Sequence, residues 1–304
     1  MELPRTGTTL FTVLFLCCFF ITGCFKKDLY QLKARFIVSG PVTPQSLSVD
    51  SAGNIYILYT NGKIEKRNAT GKILFTYQEQ KPEKKNLKGP VSIRATSNGE
   101  VYVADTLNSR IVKYDNRGKV VQVFGSCGVL DSQFTLPADI YITQNGDLLI
   151  SDMALCRLQR FTARGDYLLR FGTKGDKPGL FYKPAGLSID EWGSVFVADM
   201  GNKRIQKLSE YGEVEPYKHR IKSGNIQLTP YRVRVRKGYL FSLYLESPFL
   251  WIFEGNEVVQ KICVGKWKAG TKKTALDLEL DGAGNLYILE KKDGNHGISI
   301  YQSS

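Results

Sequence analysis

The stretch from Pro90 to Gly125 reads PVSIRATSNGEVYVADTLNSRIVKYDNRGKVVQVFG. Apolar and polar residues alternate in it, as in Val101 and Val103 against Tyr102, and Gly or Asn-Gly turns break the alternation at intervals suited to short antiparallel strands. Four runs fit: Ser92 to Ala95, Glu100 to Ala104, Arg110 to Asp115 and Val120 to Phe124. The stretch returns, rewritten, about every 46 or 47 residues, a period expected of a propeller blade. Pro44, Pro90, Pro137, Pro184 and Pro230 mark five copies, and Ala275 stands where a sixth proline would be. A second anchor keeps the same step through Gly53, Gly99, Gly146, Gly193, Gly238 and Gly284.

A four-stranded sheet of this length cannot bury both faces alone, so each copy must stack on its neighbours around an axis. The sixth copy stops at Ile298 to Tyr301, one strand short. The chain before the first copy supplies LKARFIVSG from Leu32, which has the pattern of a fourth strand. Leu32 to Val38 is therefore expected to pair with the C-terminal strand and close the ring. The expected fold is an all-β, six-bladed propeller with four-stranded antiparallel blades, covering residues 32–304.

The runs VYVADTLNSRIVKYD (101–115), LLISDMALCRLQRF (148–161) and VFVADMGNKRIQKLS (195–209) each follow a Pro-containing strand and precede a turn glycine. They resemble NHL repeats, most closely in the second, third and fourth copies. The resemblance implies a six-bladed propeller, and it implies that such a face binds proteins or RNA in other members. A fold of this kind is not by itself a function. The Asp105, Asn108, Arg110 set recurs as Asp199, Asn202, Arg204, which marks it as loop architecture and not as a catalytic cluster.

Leu10 to Gly23 is almost wholly apolar, follows Arg5, and ends at Ile21-Thr22-Gly23-Cys24. The run is short for a membrane span and has the size of a signal-peptide core. Small residues just before a cysteine resemble a bacterial lipobox. Residues 1–23 are then a signal peptide, Cys24 carries lipid, residues 24–31 form a short tether, and the propeller faces an extracytoplasmic space of the cell envelope. An uncleaved anchor is the rival reading. Of the remaining cysteines, Cys127 and Cys156 fall on loops of one face, either as two small buried thiols or as a disulfide. No Cys/His spacing suggests a metal site.

The net charge is +13. Links between blades emerge on one face of a propeller, and most of that excess lies on them. The first link offers Lys81, Lys84, Lys85 and Lys88 against Glu83, the second only Asp131, the third Lys174, Lys177 and Lys183 against Asp176, the fourth Lys218, Arg220 and Lys222, and the fifth Lys266, Lys268, Lys272 and Lys273. Phe181, Tyr182, Tyr217, Tyr231 and Trp267 lie among them. Such a face can steer and hold a polyanion, with aromatics stacking on sugars or bases; the alternative is a solvated surface with aromatics packed on blade ends. The expected partner is an acidic protein surface or an anionic envelope polymer. No physiological nucleic acid is expected outside the cytoplasm, and the chain reads as a monomer.

The innermost strands should place two layers on the axis. The upper is Ser46, Ser92, Asp139, Gly186, Arg232 and Asp277; the lower is Ser48, Arg94, Tyr141, Ser188, Arg234 and Glu279. Arg232 with Asp277 and Arg234 with Glu279 read as paired charges. A metal-dependent hydrolase or lyase is the alternative function, with Asp139, Asp277 and Glu279 its only candidate ligands beside two arginines. With only His219 and His296 in the chain, a multi-histidine zinc site and a Ser-His-Asp triad lack material. The reading is thus a binding or scaffold lipoprotein with no catalytic residues and no cofactor, and a structural part of an envelope complex is a third possibility.

Overall fold

A computed structural model describes residues 29–38, 40–77, 86–217, 219–264, 275–292 and 295–303. The chain begins with β1 (Tyr30–Val38). Blade one is β2 (Pro44–Val49), β3 (Ile55–Tyr59), β4 (Ile64–Arg67) and β5 (Ile73–Tyr77). Blade two is β6 (Ser92–Ala95), β7 (Val101–Asp105), β8 (Arg110–Tyr114) and β9 (Val120–Phe124). Blade three is β10 (Pro137–Ile142), β11 (Leu148–Asp152), β12 (Arg157–Phe161) and β13 (Tyr167–Phe171). Blade four has β14 (Pro184–Ile189), β15 (Val195–Asp199) and β16 (Arg204–Leu208), followed by a small hairpin, β17 (Lys222–Ser223) and β18 (Ile226–Gln227). Blade five is β19 (Pro230–Arg236), β20 (Tyr239–Tyr244), β21 (Phe249–Glu254) and β22 (Glu257–Cys263). Blade six is β23 (Ala275–Leu280), β24 (Leu286–Lys292) and β25 (Asn295–Ser303), completed by β1.

The protein is a six-bladed β-propeller. Its core is six apolar clusters, each drawn from two adjacent blades, so the faces that no single sheet can cover are buried between sheets. Leu47, Ile93, Ile140, Leu187, Val233 and Leu278, one per innermost strand, are fully buried. The second-anchor glycines all take positive φ, between +76° and +91°, at the turn from first to second strand, a conformation glycine adopts without cost.

Ring closure is as expected. β1 runs antiparallel to β25 from Tyr30↔Ser303 to Val38↔His296. The strand starts earlier than Leu32: Tyr30 N–H donates to Gln260 Oε1 at 3.0 Å, and Leu29 and Tyr30 pack on the core between blades five and six. The expected tether therefore loses its last residues to the propeller.

Blade four departs from the common plan. Among the described residues β16 has no full outer strand; the chain runs beside it through isolated bridges at Leu208↔Val214 and Ile205↔His219. Pro216 lies between these contacts and has no N–H to offer a ladder.

Candidate functional site

Links and second-to-third-strand loops share one face, here called the upper face. The recurring aspartate builds it. Asp105 is fully buried and accepts from Lys88 N–H at 2.6 Å, Asn108 Nδ2 at 2.8 Å and Arg110 Nε at 2.7 Å. Asp199 repeats this with Tyr182 N–H, Asn202 Nδ2 and Arg204 Nε. Asp152 accepts from Thr135 and Leu136 N–H, while Arg157 donates to the carbonyls of Val129, Leu130 and Gln133. Each aspartate thus clasps the incoming link to its blade, and the set is architecture, as its recurrence implied.

Lys88, Lys174, Lys177, Lys183, Lys203, Arg220 and Lys222 are all exposed on this face. The small hairpin carrying Lys222 is held to it by Gln227 Nε2 donating to Lys203 O at 3.0 Å. Among the described residues none of the seven forms an ion pair with a carboxylate, whereas Asp131 is engaged by Arg170 at 3.0 Å. Cys24, Lys84, Lys85, Lys218, Trp267, Lys268, Lys272 and Lys273 lie outside the described residues.

Of the two readings of the link aromatics, packing on blade ends is the one most of them follow. Phe181 is fully buried and Tyr231 nearly so, its hydroxyl donating to Ala275 O at 2.6 Å. Tyr217 packs edge-on to Phe196 and stacks on His219. Of the link aromatics among the described residues only Tyr182 is exposed, with the ammonium groups of Lys174 and Lys183 each 5.6 Å from its ring centre. Phe181, Tyr217 and Tyr231 turn inward, where they cover blade ends. The cysteines are corrected: Cys127 is an exposed free thiol and Cys156 a buried one, so there is neither a bridge nor a pair of buried thiols. Cys156 sits at φ +53°, the left-handed loop position that Ser109 and Lys203 occupy in blades two and four.

On the axis, Arg232 Nε donates to Asp277 at 2.9 Å and Arg234 Nε to Glu279 at 3.3 Å. Arg94 joins them, a residue of the lower layer absent from the charged pairs read in the sequence. Its Nη2 donates to Asp139 at 2.8 Å, and its Nη1 lies 3.5 Å from Glu279. Arg234 Nη1 is also 3.5 Å from Asp139. Two arginines from blades two and five therefore each bridge carboxylates of blades three and six. Above them, Arg232 Nη2 crosses the axis to Val91 O at 3.3 Å. Gly186 completes this layer, because a Cβ there would stand 2.9 Å from the Arg232 backbone.

Burial opposes the charge on Arg94, but Asp139, Glu279 and Asp277 outweigh it and hold the guanidinium more firmly protonated than usual. Burial pushes the Glu279 carboxyl up to about 7, with Asp277 and Asp139 adding to the rise and Arg94 opposing it.

This donor set does not fit a divalent cation. Asp139 already receives Ser92 Oγ, Arg94, and the Leu187 and Ile140 N–H groups. Asp277 receives Ser46 Oγ, Arg232, and the Leu47 and Leu278 N–H groups. Among the described residues no three His, Cys, Asp or Glu side chains gather closely enough to hold a metal.

The gap in blade four opens a cavity of about 790 Å³, lined in part by Arg204, Lys207, Glu215, Tyr217, His219 and Arg220. His219 is a core residue in its wall. Its Nε2 lies 3.0 Å from Tyr244 Oη, its ring meets Phe253 edge-on, and burial lowers its pKa to about 4, so it is neutral.

Comparison with known proteins agrees with this architecture. Residues 87–114 match the family model described as NHL repeat. No curated protein matches the chain. Among solved structures, the gluconolactonase XC5397 from Xanthomonas campestris is 12% identical, with a TM-score of 0.65 over 91% of this chain and 96% of that one. A catalytically inactive histidine-to-alanine variant of virginiamycin B lyase from Staphylococcus aureus, with quinupristin, is 13% identical, with a TM-score of 0.61 over 90% and 99%. A nidogen/laminin complex contributes a chain 16% identical, with a TM-score of 0.54 over 72% and 80%. Enzymes and a protein–protein complex thus share the fold at identities that speak for the fold alone. The chain is a six-bladed β-propeller with an NHL repeat in its second blade.

Proposed function

We propose that the protein is a non-enzymatic binding propeller, tethered to a membrane of the cell envelope through lipid on Cys24, whose upper face takes an anionic macromolecular partner. The observation that carries this reading is the set of seven exposed cations on one face without a carboxylate partner among the described residues. A face with a clear excess of one sign raises the local concentration of an opposite charge and speeds encounter, in a salt-dependent way. The axis weighs against the metal-dependent alternative, since its carboxylates are spent on arginines and backbone N–H groups.

The test is binding of the full chain, in non-ionic detergent, to a panel of polyanions across a salt series. Changing Lys174, Lys177 and Lys183 to Glu is expected to weaken binding at least about tenfold at low salt. Changing Lys119, exposed in a turn at the opposite end of blade two, is expected to leave it within about twofold. Equal loss in both variants, or no salt dependence, returns the lysines to a solubility role.

A second reading, membership of an envelope complex, is favoured by a different surface. The outer strands of blades one to three expose Ile73, Leu74, Val121, Val123 and Leu168 on the side of the ring. Charged substitutions there are expected to abolish co-purification under that reading and to leave polyanion binding intact.

A further inference from the structure

The upper face is not uniformly basic. On blades two and three it carries a cluster of exposed apolar side chains: Val129 is 64% exposed, Leu130 66% and Leu107 59%, with Leu136 at 37%. Hydrogen bonds hold the segments that carry it. Thr106 Oγ1 donates to Pro137 O at 2.8 Å and Ser109 Oγ to Thr135 O at 3.2 Å, which fastens the loop of Leu107 beside Leu136. Thr135 Oγ1 donates to Gly128 O at 3.3 Å, and Arg157 holds the carbonyls of Val129 and Leu130, so the tip of the link is fixed from below.

Charge brackets the cluster on both sides. Leu107 N–H donates to the carbonyl of exposed Lys88 at 3.0 Å. The next link round the ring carries Lys174, Lys177 and Lys183 against one exposed acid, Asp176, with exposed Tyr182 beside Lys174 and Lys183. The one acid within the cluster, Asp131, is engaged by Arg170. An apolar centre with cations at its edges has the anatomy of a protein-binding patch, in which desolvated anchors supply affinity and rim charges supply orientation.

We infer that the partner of this face is a protein segment that presents aliphatic or aromatic side chains flanked by Asp and Glu. The inference rests on the proposed function and narrows it, because an anionic polysaccharide or polyphosphate has nothing to place on Val129 and Leu130. A membrane surface is the other amphiphilic occupant, and the topology disfavours it. Tyr30, at the start of β1, donates from its hydroxyl to Gly284 O at 3.1 Å, a turn of the lower face. The chain thus enters the propeller on the side opposite the cluster, the side that the proposed lipid tether would serve.

The test uses the full chain in non-ionic detergent and two labelled synthetic peptides of equal length and charge. One is oligoglutamate interrupted by serine, the other has leucine in place of the serines. The leucine peptide is expected to bind at least about tenfold more tightly. Val129→Ser with Leu130→Ser is expected to erase that difference while leaving the serine peptide within about twofold, since no charge has changed. Doping the micelles with phosphatidylglycerol is expected not to displace the leucine peptide. Equal affinities for the two peptides, a preference that survives the serine substitutions, or displacement by the anionic lipid would each overturn the inference. Binding of neither peptide would instead overturn the proposed recognition of acidic partners by this face.

Discussion

At the level of single residues, the axis shows how far a repeat register carries. The two arginine–carboxylate pairs of blades five and six were legible, because adjacent blades put equivalent positions side by side and the register names those positions. The part played by Arg94 was not. It belongs to blade two and meets Glu279 of blade six past an intervening blade whose equivalent residue is the short Ser48. Only the width of the channel decides that reach. The packing of three carboxylates and three arginines leaves Glu279 the least compensated acid, which gives a prediction. An unfolded glutamate titrates near 4.3, and folded Glu279 near 7. Between those values the folded chain keeps a proton that the unfolded chain has lost. Its contribution is full below the unfolded value and disappears as pH rises through about 7. His219 runs the opposite way, its contribution present above about 6.5 and lost as pH falls towards 4. Comparing the wild type with Glu279→Gln cancels the histidine. The wild type is expected to lose on the order of 2 kcal/mol relative to the variant between pH 5 and pH 8. Urea midpoints at the two pH values check this, and parallel pH dependences would refute it.

At the level of elements, the strands were readable because their period and turn glycines agree, while the links left two readings open for their aromatics, stacking on a ligand or packing on blade ends. A sequence shows that Phe181 lies in a link, but not that the link turns its ring into the seam between blades. One signal was present. Phe134 and Phe181 stand at the same offset before Pro137 and Pro184, and both are fully buried. A residue that recurs in register with the blade serves the blade, by the same logic that assigned the Asp-Asn-Arg set. Each ring lies against a glycine at the end of the preceding strand, Gly125 and Gly172, both at φ +84°. A Cβ on Gly172 would stand 2.3 Å from the Phe181 ring. Gly172→Ala is therefore expected to cost about 3 kcal/mol, combining left-handed strain with overpacking. At Gly193, φ is +89° and nothing lies within 4 Å of the place a methyl group would take, so Gly193→Ala carries the strain alone, about 1 kcal/mol. Equilibrium urea unfolding of both variants separates the two costs, and equal losses would show that the Phe181 plug yields without penalty.

At the level of the whole molecule, stability depends on a contact that joins the two ends of the chain. Six seams need six neighbours, and the seam between blades six and one exists only if blade six is held in the ring. β1 completes that blade through a ladder that runs its whole length along β25, and it also covers Ile298 and Ile300 with Phe36 and Val38 in the shared cluster. Tyr30 adds an edge contact to Phe241 of blade five, with ring centres 5.5 Å apart, so the same strand fastens two seams. A chain beginning at Gly40 keeps all five other blades intact yet loses the clasp. Blade six then presents β25 as a bare edge and uncovers part of its apolar face. At about 2 kcal/mol for buried Val38 and about 1 kcal/mol for half-buried Phe36, their loss alone is about 3 kcal/mol, before the ladder is counted. For a domain of this size that amounts to a fall of roughly 10 °C in Tm. A chain beginning at Leu29 keeps β1 entire and is expected to unfold at the wild-type temperature. Thermal unfolding of the two truncated chains, followed by far-ultraviolet circular dichroism, distinguishes a ring that is closed by its first strand from six blades that stack without it; equal Tm values for both would assign the closure to the seams alone.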